Sequence, residues 1–413
     1  MLDTHSFVFG VSISAVQTEE NPQNDWKGLT AHDGSVMNKN IEHLARWKDD
    51  YALVKDLGVD VFRTSVDWAR LQPAPFAPLD PAAAASYHRM FSFLKENGIA
   101  LVLTLHHFAN PVWFDDMGGW EKRKNIGAFL DFAEKAVAEF GRYASHVITI
   151  NEITTYVSLT EIEAFLHPKK KNSVIGSYRT IRAMAQAHRE AYRALKERHP
   201  DLQIGFSEVA RPTASKNGRV DELIIAAIGG FVANTYIWNR LMPQADFIGI
   251  NYYGTLAFDF TKKTDPVGYR KGKEHDDLFE MNPELLVPLA ERLHKKYGGL
   301  PVYIIENGTC TDDDTLRRKN LIAHLDAIFE ARKKGDAFIK GYIHWSILDN
   351  FELNRGMSYH YGLVAVDPLT MERKPKESYY LYQNEIQKRR SSSRESNLQK
   401  TTPAQSKVDV TGF

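Results

Sequence analysis

The sequence predicts an α/β protein, a single (β/α)8 barrel of the TIM type with long loops at the C-terminal ends of its strands. Three observations carry that prediction. Eight short apolar, β-branched runs alternate with longer amphipathic stretches. The connections leading from helix back to strand are tight, whereas those leading from strand to helix are mostly long.

The strand runs, in order, are FVFGVSIS from Phe7, VDVFRTSV from Val59, ALVLTLHH from Ala100 and HVITINE from His146. QIGFSEV from Gln203, DFIGINYY from Asp246, PVYIIEN from Pro301 and IKGYIHWSI from Ile339 complete the set. Between them apolar residues recur every three or four positions, which predicts helices over Ile41–Leu57, Pro81–Asn97, Ile126–Tyr143, Tyr178–His199, Pro283–Tyr297 and Asp314–Lys334. Lys374–Lys388 would close the ring of helices. The stretch Val220–Trp238 is the helical segment least defined by its pattern, because it is apolar nearly all round.

Stop signals punctuate the short connections: DLG before Val59, ENG before Ile99, RHPD before Leu202 and YGGLP before Val302. The long connections are 14–41, 108–125, 153–173, 254–282 and 351–373. Long loops on one face only are what a barrel enzyme uses to build a site. Two doubly wound domains would need a linker, and no segment has the composition of one. The barrel is therefore expected over residues 1–388. Residues 389–413, rich in Ser, Thr, Gln and charge, are expected to form a disordered polar tail.

Composition narrows the function classes. Of 413 residues, 43% are apolar and 25% charged, ordinary values for a soluble globular enzyme. The 52 basic and 52 acidic residues cancel, which argues against nucleic acid or an anionic membrane as a partner. Cys310 is the single cysteine, so no intramolecular disulfide forms and a reducing compartment is the expectation. The N-terminal residues read as a first strand, not a signal peptide, and no run approaches the ~20 apolar residues that span a bilayer. A cytoplasmic location follows as an expectation, with the oligomeric state open.

Polar residues gather at one end of the strand runs. Gln17 and Glu19 follow the first, Arg63 lies in the second, and His106 and His107 end the third. Asn151 and Glu152 end the fourth, Glu208 the fifth, and Asn251 and Tyr253 the sixth; Glu306 and Asn307 end the seventh, with Trp345 and Glu352 after the eighth. A carboxylate next to a run such as VYII is costly to bury unless it is paired or used. Glutamates ending strands four and seven stand roughly opposite each other around an eight-strand ring. Paired carboxyls across a small gap are the apparatus of glycoside hydrolysis, with retention at ~5–5.5 Å and inversion at ~6.5–9.5 Å.

Seven motifs, in order from Phe7 to about Tyr382, resemble those of the family-1 glycoside hydrolases, the β-glucosidase family. They are FVFGVSISAVQTEE, FRTSVDWARLQP, TLHHFANPVWFDDMGGW, TINE, GINYY, YIIENG, and HWSILDNFE with YGLVAVD. The resemblance implies a retaining exo-β-glycosidase acting on a terminal non-reducing sugar. Glu306 would be the nucleophile, kept ionised by Arg63 and Tyr253, and Glu152 the acid/base, its pKa raised by the nearby carboxylate. Asn151 would bond the sugar 2-hydroxyl. Gln17, His106 and Glu352 would hold other hydroxyls, and Trp345 would form a platform beneath the ring.

Each of these residues also has a structural reading. A lone strand-end Glu is more often a cap or an ion-pair partner, and a Trp on an apolar strand more often core; the motif context reverses both. His106 and His107 invite a metal, but adjacent strand residues point to opposite faces and no third ligand stands at a useful spacing. No metal or cofactor is expected. Glu208 falls outside the motifs and is expected to anchor a loop; Cys310 is expected to be a bystander.

Four departures qualify the resemblance. His107 stands where the family commonly has Trp after His106, Leu353 replaces a second Trp after DNFE, and Ile153 replaces a Pro. The stretch before the sixth strand and that after Glu152 are abbreviated, which implies an open aglycone side. Members acting on 6-phosphosugars lack the carboxylate corresponding to Glu352, and Leu353–Tyr361 holds no Lys. The expected ligand is thus a small neutral β-glycoside or oligosaccharide, a β-glucoside first, with β-galactosides and β-fucosides as further candidates. A catalytically impaired sugar-binding homologue and a transglycosidase are the alternatives.

Overall fold

Why the chain closes into a ring is visible in the register of its strands. The structure, a computed structural model, describes residues 7–20, 23–38, 40–261 and 279–401, with 392–401 as backbone. The strands are β1 (Val8–Ser12), β2 (Val61–Ser65), β3 (Ala100–His106), β4 (Ala144–Asn151), β5 (Gln203–Val209), β6 (Ile248–Asn251), β7 (Val302–Asn307) and β8 (Ile339–Trp345). Each pairs in parallel with its neighbours in sequence, and β1 pairs with β8 through Ser12 and Trp345, closing the barrel. Every strand run expected from the sequence is present.

Each strand is followed by an outer helix: α1 (His43–Leu57), α2 (Pro81–Glu96), α3 (Ile126–Phe140), α4 (Val174–Arg198), α5 (Val220–Phe231), α6 (Leu286–Lys296), α7 (Asp314–Lys333) and α8 (Glu377–Thr401). Local chemistry sets their ends. The Asp80 side chain accepts the Ala83 N–H ahead of Pro81, Ser173 accepts from Gly176, and Asp313 from Thr315 and Leu316. Gly58 ends α1 in the left-handed conformation.

Alternation along the strands builds two cores. Phe9, Val11, Phe62, Leu101, Leu103 and Leu105 face the helices. Val8, Val61, Val102, Ile148, Phe247, Ile305 and Ile343 form a second apolar cluster, filling the barrel interior. Further along the same strands the buried residues Ser12, Arg63, Thr104, Asn151, Ser207 and Asn251 are polar. The barrel is therefore apolar toward one end and polar toward the end where a site belongs.

Two expectations are corrected. The tail expected to be disordered from Arg389 is helical to Thr401, and its first charges find partners: Arg389 pairs with Asp326 of α7 and with Glu385 one turn back in the same helix, and Arg390 pairs with Asp60. Residues 402–413 of that expectation lie outside the described residues, as do 262–278 of the long loop 254–282. The apolar stretch Val220–Leu241 is, at 22 residues, long and apolar enough to cross a bilayer, contrary to the reading of composition. It folds as α5, a π-helical turn over Val232–Tyr236 and a short helix Trp238–Leu241, whose Trp238 and Leu241 are buried.

Candidate active site

Strand β7 delivers Glu306 to the polar end of the barrel, opposite Asn251 of β6. The side chain is almost fully buried, yet both oxygens are engaged. Oε1 takes the Arg63 guanidinium, and Oε2 accepts the Tyr253 hydroxyl at 2.7 Å. Arg63, itself fully buried, also donates from Nε to Thr104 Oγ1 (3.2 Å) and from Nη2 to Asn151 Oδ1 (2.6 Å). A buried cation with each arm of its fork occupied is a fixed counter-charge. The chain can leave β7 only because residue 308 is glycine: a Cβ there would lie 1.9 Å from the Trp345 carbonyl oxygen.

Glu152 follows the last residue of β4 with φ of 43°, a left-handed conformation that a non-glycine residue adopts at a cost. Its Oε1 accepts from Asn251 Nδ2 at 2.6 Å. Burial, and after it the charge of Glu306, push its carboxyl up to about 7. Asn151 Oδ1 collects Arg63 Nη2, Ser207 Oγ (2.6 Å) and Asn251 Nδ2 (3.2 Å). Three donors on one atom fix the amide's orientation. A continuous chain of hydrogen bonds thus runs from Glu152 through Asn251, Asn151 and Arg63 to Glu306.

These groups open on a cavity of about 130 Å³, whose walls include Gln17, His107, Glu152, Glu306, Trp345 and Glu352. A larger cavity, of about 1480 Å³ and lined by Val8, His146 and Tyr303, sits at the N-terminal end of the strands and holds neither carboxylate. The smaller cavity is the one with chemistry. Gln17 Nε2 donates to Asn350 Oδ1 (3.1 Å), Phe351 O (3.0 Å) and Glu352 Oε2 (3.2 Å). Burial pushes the Glu352 carboxyl up to about 8, with Arg355 opposing the shift. The Trp345 indole lies stacked against His107, ring centroids 5.7 Å apart.

His106 is not where the sequence placed it. It donates from Nε2 to Asn110 Oδ1 (3.0 Å) and packs edge-on against Trp120, Phe129 and Tyr156, behind the wall of the cavity. The histidine on the cavity is His107, with Phe108 beside it. Strand parity holds only inside the ladder, and β3 ends at His106; the chain then turns through Phe108, whose φ is 67°. The aromatic substitution expected at position 107 therefore falls at Phe108.

Strand-end position did not single out other members of the wall: Arg211, Ser158, Glu163, Asn354, Arg355 and Tyr361. All sit in strand-to-helix segments, which carry no parity signal. Glu208 is fully buried on β5 and accepts the N–H groups of Val209 (2.8 Å) and Thr154 (3.3 Å), so it ties down the segment that follows Glu152. Burial and the charge of Glu152 push it up to about 8. Glu19 is turned away to the Tyr87 hydroxyl and Arg70, and Cys310 is buried beside Trp345, Tyr359 and Tyr361. Among the described residues, no three His, Cys, Asp or Glu side chains cluster as metal ligands.

The model of glycosyl hydrolase family 1 matches residues 4–238 and 234–391. Beta-glucosidase A of Thermotoga maritima is 26% identical over 436 aligned positions, covering 92% of this chain and 96% of that protein. A chloroplastic galactolipid galactosyltransferase of Arabidopsis thaliana is 31% identical over 367 positions, 83% of this chain and 57% of its own length. Among solved structures, the GH1 β-glucosidase of Exiguobacterium antarcticum superposes with a TM-score of 0.83 at 26% identity, covering 94% of this chain and 98% of that one.

Proposed function

We propose, from the premise that the chain belongs to glycosyl hydrolase family 1 and is a glycoside hydrolase, that it is a retaining exo-β-glycosidase for neutral β-glycosides. The observation that carries this reading is the unequal treatment of two carboxyls on one cavity. Glu306 is matched by a buried guanidinium and a phenol, whereas Glu152 is pushed up to about 7, with Glu306's charge among the causes. One is equipped to attack and the other to hold a proton.

In the first step Glu152 gives its proton to the glycosidic oxygen as a Glu306 oxygen attacks the anomeric carbon. The aglycone leaves as an alcohol and an α-glycosyl ester forms on Glu306. That ester has no charge, so part of what raised the Glu152 pKa is gone and Glu152 becomes a base. It takes a proton from water, whose oxygen attacks the anomeric carbon; the Glu306–sugar bond breaks, and the β-sugar departs. Asn151 Nδ2 lies 3.4 Å from His107 Nε2, and burial keeps that imidazole neutral and able to accept. This pair would meet the 2- and 3-hydroxyls. Gln17 and Glu352 would hold the remaining hydroxyls and Trp345 would floor the ring.

Glu306→Ala tests the assignment. Hydrolysis of a nitrophenyl β-glucoside should be lost and azide should restore turnover, giving an α-glycosyl azide; a β-azide product overturns the nucleophile role. Likeness to a galactolipid galactosyltransferase supports a second reading, transfer of the glycosyl group to a sugar hydroxyl in place of water. Product analysis with a galactoside acceptor separates the two: free sugar alone excludes transfer.

A further inference from the structure

Among the described residues, one face of the helix layer is apolar and exposed. Helix α5 turns Val220, Leu223, Ile224, Ile225, Ile228 and Phe231 to solvent, each between 41% and 72% exposed. Its buried residues are Glu222 and Ala226. This inverts the usual outer helix, in which the apolar stripe faces the strands, as Phe129, Phe132 and Val137 of α3 do. At the start of α4, Val174 and Ile175 are 79% and 67% exposed.

The two groups are neighbours, close enough for Tyr236 to act electrostatically on Arg182. The Arg182 guanidinium of α4 donates to the Tyr178 hydroxyl at 2.5 Å, and the Arg240 guanidinium lies 3.5 Å over the Tyr236 ring, which touches Phe231. The patch also runs into the mouth of the cavity. Asn234, in the turn that follows α5, exchanges hydrogen bonds with the backbone of Arg211 (2.9 and 2.7 Å), and Arg211 lines the cavity with Phe279 beneath it.

We propose that this face docks on a lipid surface bearing anionic headgroups, and that docking presents the Glu152–Glu306 cavity to glycosylated lipids in that surface. Charge complementarity selects the occupant. The run Lys169–Lys171 is separated from Val174 by two residues, and Lys169 and Lys171 have no ion-pair partner among the described residues. Arg182 and Arg240 are set against tyrosine rings. The exposed acid on α5, Asp221, is neutralised by Arg219. An apolar face fringed with cations and tyrosines suits a headgroup layer with negative lipids. A second copy in isologous contact would lay the same cationic fringe against itself. The helix lies on the surface and does not span it, because its continuation, Ile237, Trp238 and Leu241, is buried in the barrel wall. Zero net charge does not oppose this, since the charges are segregated, not absent. The lipid-substrate half rests on the glycosidase reading; the docking half does not.

The test is sedimentation of the full chain with phosphatidylcholine vesicles, with and without phosphatidylglycerol. The chain should sediment with the anionic vesicles. Ile224→Glu with Ile228→Glu, and separately Lys169→Ala with Lys171→Ala, should each lower the bound fraction about tenfold and leave hydrolysis of a soluble nitrophenyl β-glycoside unchanged. A wild-type chain that stays in the supernatant, or variants that bind as it does, overturn the docking. So does light scattering that finds a wild-type dimer and a monomeric isoleucine variant, which would make the face a contact between copies. With a β-glycosyl lipid in anionic vesicles, the variants should lose turnover in step with binding; equal rates overturn the lipid-substrate half. Failure on the soluble glycoside, by contrast, counts against the glycosidase reading while sedimentation still decides docking.

Discussion

At the residue scale the site is organised around how differently its carboxyls are solvated and paired. In the proposed mechanism the first step uses the proton on Glu152, whose pKa is raised to about 7, so kcat/KM should fall as pH rises through about 7. Glu152→Gln should remove that alkaline limb. It should also slow substrates with poor leaving groups by about 10²–10⁴-fold, while sparing the first step on activated ones; pH–rate profiles with both substrate types check this. The histidine pair offers a second test. His107→Ala should raise KM with little change in Tm, because its ring borders the cavity. His106→Ala should instead cost about 2–4 kcal/mol of stability, by opening a hole among Trp120, Phe129 and Tyr156. Which histidine faces inward was illegible because alternation stops where the ladder stops. Arg63, Asn151, Glu152, Tyr253 and Glu306 could be located because each stands in or just beyond a strand, and the structure brings all five together.

At the scale of elements, all eight strands were readable, because each couples an apolar, β-branched run to a stop signal. Helices with a one-sided apolar stripe were readable too, to within a few residues. Two were not. Helix α5 is poorly defined by its pattern because its outward face is as apolar as a core stripe. The second half of α8 has the composition of a disordered tail, and its first charges pair with residues distant in sequence: Arg389 with Asp326 and Arg390 with Asp60. Truncation after Lys388 should therefore lower Tm by a few degrees and no more, since partly exposed ion pairs contribute about 0.2–1 kcal/mol each. Thermal unfolding of the shortened chain measures it. A strand exit is less forgiving. Gly308→Ala should leave little folded protein, because the Trp345 carbonyl it meets is backbone and cannot step aside.

For the whole molecule, function is bound up with pH-dependent stability. Burial raises the carboxyls of Glu19 and Glu152 to about 7 and those of Glu208 and Glu352 to about 8. The folded state thus holds these protons more tightly than the unfolded chain does. Their stabilising contribution is fully present below the ordinary glutamate value of 4.5 and is lost as pH rises to about 8. Tm should accordingly fall between pH 6 and 8.5, roughly the upper part of that window. Glu208→Gln, which keeps the shape and removes the titration, should flatten that fall. Barrel closure and the end carrying the site were legible from strand order and loop length alone. The apolar docking face was not, because net charge and average composition do not record where side chains are gathered.

The central claim is that Glu306 becomes covalently glycosylated during turnover. A 2-deoxy-2-fluoro β-glycosyl fluoride slows the second step, so the intermediate accumulates and can be located by digestion and mass spectrometry. The account predicts one fluoroglycosyl group on the peptide containing YIIENG, at Glu306. A label on Glu152, or a chain that turns the reagent over without ever carrying it, would contradict the account.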